Sequence, residues 1–257
     1  MVGDPVQHSR SPAMHNAAFA ALGLDWVYVA FPAPAERGEA AVRAVLDLGL
    51  AGLNVTMPHK AAAAAACDEL TPDAGALGAV NTVAVEAGGL VGHNTDGAGF
   101  LQALADENVT VAGTRVLVLG AGAAARAIAL ALGGAGATVT VAARRLDAAG
   151  AAAELAGGTA IGLADAAVED ADVVVNATPL GMRGEAPPVD TGRLRPGQFV
   201  YDTVYPEETP LLIAARAAGL AAAGGLGMLV HQGALALQLW TGRPAPVEVM
   251  RAAAVSG

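Results

Sequence analysis

Short apolar runs alternate along this chain with longer segments of helical periodicity. "WVYVAF", residues 26–31, reads as a strand, 35–48 as a helix, "GLNVT" and "AVNTVAV" as strands, and "TDGAGFLQALADE" as a helix opened by Thr95 and Asp96. A second series starts at "RVLVLG" and continues with an Ala-rich helix after Gly122, then "ATVTVAA", "ADVVVNA" and "QFVYDTV". Short apolar strands between helices predict parallel sheets covered on both faces, and so an α/β protein. The apolar period persists through the Gly/Ala-rich stretches, which therefore read as small-residue helices and not as a linker. No tandem repeat interrupts the pattern.

Composition narrows the function classes. A chain of 257 residues with 54% apolar content can build one large or two modest domains with real cores. The net charge of -10, without any block of Lys or Arg, speaks against nucleic acid or an anionic membrane as partner. The apolar runs are broken by glycines, and residues 1–20 lack a charged start followed by an apolar core, so the simplest location is the cytoplasm. The single cysteine, Cys67, excludes internal disulfides and reads as a small core side chain. His8, His15, His59, His93 and His231 show no metal-ligand spacing, and no metal is expected.

The clearest local motif spans 116–145, "VLVLGAGAAARAIALALGGAGATVTVAARR". It reads as a strand, the loop Gly120-Ala121-Gly122-Ala123, a helix and a second strand, with Ala125 in the place of a third glycine: a dinucleotide-binding βαβ unit. Glycines there let the backbone approach a pyrophosphate, which sits against the amides and positive dipole of the helix start. The second strand ends "VAARR", offering Arg144 and Arg145 to a 2′-phosphate where an NAD site usually has an acid, which favours NADP. Asp147, two residues on, keeps a ribose contact open.

Two other stretches carry candidate chemistry. "NVTMPHK" ends in Lys60, the one lysine of the chain, in a composition that otherwise uses arginine throughout. An amine exchanges its proton where a guanidinium does not, so Lys60 reads either as a surface residue or as a proton carrier. In "HSRSPAMHNAAFAALGL", Ser11 is placed as an N-cap with Pro12 at the first helical position, which sets Ser9 and Ser11 at a positive helix end. The pair reads as simple capping or as a carboxylate site.

Taken in order, "GDPVQHSRSPAMHNAAF", "GLNVTMPHK", "DELTPDAGALGAVNTV", "GHNTDGAGF", "GAGAAAR", "NATPLGM", "YDTVYPEETPLL" and "GGLGMLVHQGALALQLWTG" resemble the shikimate dehydrogenase family over nearly the whole chain. The resemblance implies two open α/β domains with the active site in the cleft. A substrate domain would take residues 1–96 and 226–257, and a Rossmann NADP domain residues 97–225. It implies Lys60 and Asp96 as the catalytic pair, and Ser9 and Ser11 on the shikimate carboxylate. Thr56, Asn81, Asp96 and Gln232 would bind the ring hydroxyls, with Tyr205 near the substrate. Gly120, Ala121, Gly122 and Ala123 would hold the pyrophosphate, Arg144 and Arg145 the 2′-phosphate, and Asn176, Thr178, Met182, Gly227 and Met228 would line the cofactor pocket.

The implied reaction is reversible NADPH-dependent reduction of 3-dehydroshikimate to shikimate, in aromatic amino-acid biosynthesis, by a monomer or homodimer. Lys60 would protonate the oxygen that gains charge as hydride arrives, and Asp96 would orient it. The reverse oxidation is then expected to improve at alkaline pH. Two departures stand out. Ala143 and Ala148 occupy positions where the family has an Asn and a further Arg of the phosphate clamp, and only Met1 and Val2 precede Gly3, where a fuller strand is expected. Alternatives are a quinate/shikimate or aminoshikimate dehydrogenase, or a non-catalytic NADP-binding regulator on the same fold.

Overall fold

A computed structural model describes residues 1–205 and 208–256. The chain forms two compact units, Met1–Gly99 with Val230–Gly257, and Phe100–Leu229.

The first unit opens with β1 (Val2–Gly3), α1 (Ser11–Ala21) and β2 (Phe31–Pro32), and β2 runs parallel to β1. The strand expected over 26–31 is thus reduced to its last residue and Pro32. The cause is local. The Asn16 side chain accepts from the Tyr28 N–H at 2.7 Å and donates to the Tyr28 C=O at 2.9 Å, so a side-chain amide stands in for a neighbouring strand. The helix expected over 35–48 is split into a 3-10 turn, Ala35–Arg37, and α2 (Gly38–Asp47), which buries Val42 and Val45. Then come β3 (Gly52–Asn54), α3 (Lys60–Ala66), β4 (Glu69–Leu70), α4 (Pro72–Leu77), β5 (Thr82–Glu86) and β6 (Gly89–His93).

These four strands make a sheet of order β3-β5-β6-β4 in which only β4 and β6 are parallel. The expectation of an all-parallel sheet fails in this unit because β5 and β6 form a hairpin. Its turn residues, Ala87 and Gly88, both have positive φ, 48° and 85°, the geometry that matches the twist of paired antiparallel strands. Val42, Val45, Leu53, Val55, Val80, Val83 and Leu90 close the core beneath the sheet.

From α5 (Asp96–Asp106) the chain runs through β7 (Arg115–Leu119), α6 (Ala123–Gly134), β8 (Thr138–Ala143), α7 (Leu146–Glu154), β9 (Thr159–Gly162), β10 (Val173–Asn176), β11 (Phe199–Asp202), α8 (Pro210–Ala217) and β12 (Ala221–Gly224). The six strands form a fully parallel sheet of order β12-β11-β10-β7-β8-β9. Reading outward from β7 in both directions gives the Rossmann order, with the topological switch between β7 and β10. Successive residues of β7 serve opposite faces: Val116 and Val118 pack with Ile128, Leu132 and Val141, whereas Leu117 and Leu119 pack with Val168 and Val174. Burial on both faces explains why these strands read as continuous apolar runs.

The chain closes with α9 (Leu226–Thr241) and α10 (Val247–Ser256), the latter packed on α1. Among the described residues no helix is long and apolar enough to cross a membrane.

Candidate active site

The backbone around Lys60 is pinned from both sides. Val55 N–H donates to the Asn81 C=O at 2.8 Å, and Val80 N–H donates to the Lys60 C=O at 2.9 Å. These bonds hold the first residue of α3 beside the segment that carries Asn81. The buried His59 ring lies just before it, with Nε2 2.8 Å from the Ala33 C=O. Lys60 Nζ is hydrogen-bonded to Asp96 Oδ2, and the two side chains keep only 16% and 10% of their exposure. Asp96 stands at the start of α5, where the helix dipole favours a carboxylate.

A buried polar chain extends from this pair. Asn81 Nδ2 donates to Asp96 Oδ1 at 2.9 Å and to Thr95 Oγ1 at 2.9 Å, and lies 3.5 Å from Gln232 Oε1. Asn81 Oδ1 accepts from Thr95 N at 2.8 Å and from Thr82 Oγ1 at 3.0 Å. Thr82 Oγ1 also accepts from Asn54 Nδ2 at 3.0 Å, and Asn54 Oδ1 accepts from the Tyr28 hydroxyl at 2.6 Å. Burial pushes the Tyr28 phenol strongly upward from the ordinary tyrosine range, with the Ser11 side chain opposing. Tyr28 and the Lys60–Asp96 pair are therefore linked by hydrogen bonds through Asn54, Thr82 and Asn81.

Ser11 is the first residue of α1 and not its cap; Arg10 occupies the cap position without a side-chain bond. Ser9 Oγ instead accepts from the Ser11 N–H at 3.2 Å, so the first serine turns the chain into the helix. Thr56 is half-buried against Gly3, where any Cβ would overlap its methyl group. Gln232 is brought in by a close approach of α9. A Cβ on Gly99 would lie 2.6 Å from the Gln232 nitrogen, and Thr95 Oγ1 donates to the Gln232 C=O at 3.1 Å. Ser9, Ser11, Thr56, Lys60, Asn81, Asp96 and Gln232 all belong to the first unit. Sequence reasoning did not reach Tyr28, Asn54, Thr82 or Thr95 as members of this network. For Asn54 and Thr95 the polar residue at the edge of an apolar run was a usable signal; for Tyr28 none existed.

In the second unit the loop after β7 has the geometry of a phosphate cradle. Gly120 has φ +112°, and a Cβ there would lie 2.9 Å from the Ala177 C=O, so only glycine fits between the ends of β7 and β10. Gly122 caps α6 without any side-chain bond, leaving the first amides of that helix, including Ala123, without a capping side chain. Ala121 is partly exposed and Ala125 is fully buried against the sheet. Arg144 and Arg145 stand exposed at the end of β8 with no ion pair among the described residues, while Ala143 is part of the core. These features fit a dinucleotide with an added phosphate.

The remaining candidates follow β10 and β11. Asn176 is buried and accepts from Thr178 N at 3.0 Å and Thr178 Oγ1 at 2.7 Å; Met182, in the same segment, is exposed. Tyr205 is half-buried in the segment after β11. Met228 N–H donates to the Tyr201 hydroxyl at 3.2 Å, and Gly227 packs so closely that a Cβ would lie 3.0 Å from that of Ala103.

A Rossmann unit with an open phosphate loop, and a separate unit carrying a lysine–carboxylate pair in a buried amide and hydroxyl network, define a nicotinamide-dependent dehydrogenase class of protein. Residues 1–83 match the shikimate dehydrogenase substrate binding domain, residues 225–255 the shikimate 5′-dehydrogenase C-terminal domain, and residues 115–203 the NADP oxidoreductase, coenzyme F420-dependent, family. The chain is 49% identical to a shikimate dehydrogenase (NADP(+)) of Methanopyrus kandleri, over 98% of this chain and 93% of that protein. It is similar to a solved shikimate dehydrogenase in complex with NADP+, with a TM-score of 0.95 and 39% identity over 99% of this chain and 93% of the other. It is also similar to the Thermus thermophilus shikimate 5-dehydrogenase solved with NADP(H) and shikimate, with a TM-score of 0.92 and 42% identity over 98% and 96% of the two chains. The chain belongs to the shikimate dehydrogenase family.

Proposed function

We propose that this chain catalyses the reversible NADPH-dependent reduction of 3-dehydroshikimate to shikimate. The observation that carries the proposal is the Lys60–Asp96 pair, in which the chain's one lysine is held by a carboxylate that Asn81 fixes in turn. Bound NADPH supplies the hydride. As the substrate oxygen gains charge, the Lys60 ammonium stabilises it and delivers a proton; in the oxidation direction the neutral amine takes that proton back. Asp96 holds Lys60 in line and accepts from a substrate hydroxyl.

Ser9 and Ser11 hold the carboxylate, with Thr56, Asn81, Gln232 and Asp96 on the ring hydroxyls and Tyr205 near the nicotinamide or substrate. Residues 1–96 and 226–257 accordingly make up the substrate domain, and 97–225 the cofactor domain. Gly120, Ala121, Gly122 and Ala123 take the pyrophosphate and Arg144 and Arg145 the 2′-phosphate; Asn176, Thr178, Met182, Gly227 and Met228 line the pocket. The same reading places the protein in the cytoplasm, in aromatic amino-acid biosynthesis, as a monomer or homodimer.

One assay tests it. Purified protein mixed with shikimate and NADP should produce NADPH, with quinate much poorer. Faster turnover of quinate would make it a quinate dehydrogenase, and NADPH binding without turnover of either acid would leave a regulator.

A further inference from the structure

The parallel ends of β10 and β11 place Asn176 opposite Asp202. Asp202 is fully buried, and among the described residues no cation pairs with it. Burial pushes its carboxyl upward from the usual range, opposed by hydrogen bonds from its neighbours. Oδ1 accepts from Asn176 Nδ2 at 3.0 Å and from Val204 N at 3.0 Å, and Oδ2 accepts from Thr209 Oγ1 at 2.7 Å. Thr209 is itself buried and caps α8, accepting from Leu212 N at 3.4 Å. One carboxylate thus collects three donors from three different segments.

The consequence runs outward through Asn176. An ionised carboxylate only accepts, so Asn176 must turn its Nδ2 towards Asp202 and its Oδ1 away. That orientation lets Oδ1 receive both donors of Thr178, while Nδ2 also reaches the Leu180 C=O at 3.1 Å. The Thr178 segment lies at the switch point, where Thr178 Cγ2 would sit 3.1 Å from a Cβ on Gly120 of the phosphate loop. On the other side, the bond to Val204 N fixes the residue before Tyr205. Capping α8 would not by itself require a buried charge, because Thr209 can cap without one, and burying an unpaired carboxylate is costly.

We propose that Asp202 is a positioning residue for hydride transfer, fixing with one buried carboxylate both the cofactor-side segment Thr178–Met182 and the substrate-side segment that carries Tyr205. This rests on the function proposed above. An amide at position 202 lacks the carboxylate's charge and keeps all three contacts only if its NH2 turns to Thr209 and that hydroxyl reverses from donor to acceptor, so Asp202→Asn should loosen the clamp while keeping nearly the same volume.

The test compares Asp202→Asn, Thr209→Val and Thr209→Ser with the parent by steady-state kinetics, circular dichroism and fluorescence titration with NADPH. Asp202→Asn and Thr209→Val should fold with parental secondary structure, lose roughly tenfold to a hundredfold in kcat, and bind NADPH about tenfold more weakly. Thr209→Ser, which restores the hydroxyl, should stay within a few-fold of the parent in both. A purely structural role would lower melting midpoints while leaving kcat per folded molecule unchanged, and that result overturns the proposal. If Asp202→Asn fails to fold, the Thr209 pair decides, and equal kcat for Val and Ser refutes the clamp. If the parent lacks shikimate-dependent NADP reduction, the proposed function falls; the NADPH titration still reads the clamp, with unchanged affinity in Asp202→Asn counting against it.

Discussion

Lys60 shows how much a single side chain can be asked to do. Its charge alone could be supplied by arginine, but a guanidinium keeps its proton under working conditions. If Lys60 transfers a proton, Lys60→Arg should lower kcat by roughly a hundredfold to ten-thousandfold, with shikimate affinity changing far less because the carboxylate would rest on Ser9 and Ser11. Turnover within a few-fold of the parent would reduce Lys60 to an electrostatic role. His15 makes a second residue-scale case. It is fully buried, stacks on Tyr28 at 4.3 Å between ring centroids, and among the described residues neither ring nitrogen has a hydrogen-bond partner. Burial lowers its pKa to about 3, below the unfolded value of about 6.5. The unfolded chain therefore binds this proton first. The contribution is fully present above about pH 6.5 and is lost as pH falls towards the folded value, by on the order of 2 kcal/mol at pH 5. His15→Phe should lose less melting temperature between pH 7 and pH 5 than the parent, and an equal loss in both proteins would refute the assignment.

Among the elements, close helix crossings place functional side chains that no helix could place alone. α5 carries Asp96 and α9 carries Gln232, and Gly99 is what allows their backbones to meet. Gly99→Ala sets a methyl group 2.6 Å from the Gln232 nitrogen, so one helix must shift. Overpacking of this kind costs roughly 1–3 kcal/mol, and it should also raise the KM for shikimate several-fold. Gly75 in α4 is the control: a Cβ there meets nothing within 4 Å, and Gly75→Ala should stabilise by roughly 0.4–1 kcal/mol through the unfolded state. Paired thermal melts and kinetics decide; a neutral Gly99→Ala would mean that the crossing is slack.

For the whole molecule, a cofactor that binds only the folded chain must raise its stability by mass action. NADP at about a hundred times its dissociation constant should add roughly 2.7 kcal/mol, a rise of a few degrees in melting midpoint for a chain of this size. NAD at the same concentration should add much less, because Arg144 and Arg145 would have no 2′-phosphate to hold. Equal shifts with both cofactors would mean that the arginines at the end of β8, without the Asn and second Arg usual in the family, no longer discriminate.

The dinucleotide unit was legible because its determinants are local. Strands buried on both faces must be apolar along their whole length, and the loop between β7 and α6 needs Gly120 for its backbone conformation, with φ at +112°. The lysine was legible for a different reason, as an amine kept against the chain's own composition. What sequence alone did not decide is set by partners distant along the chain. The strand predicted at 26–31 gave way to the Asn16 side chain, and the first sheet became mixed because a two-residue turn folded β6 back on β5. Tyr28 entered the network only through its bond to Asn54, and Asp202 met Asn176 only when β10 and β11 were laid side by side. Periodicity and glycine chemistry act over a few neighbouring residues and so can be read along the chain. The orientation of a buried amide or carboxylate is chosen by donors and acceptors that only tertiary packing brings within about 3 Å.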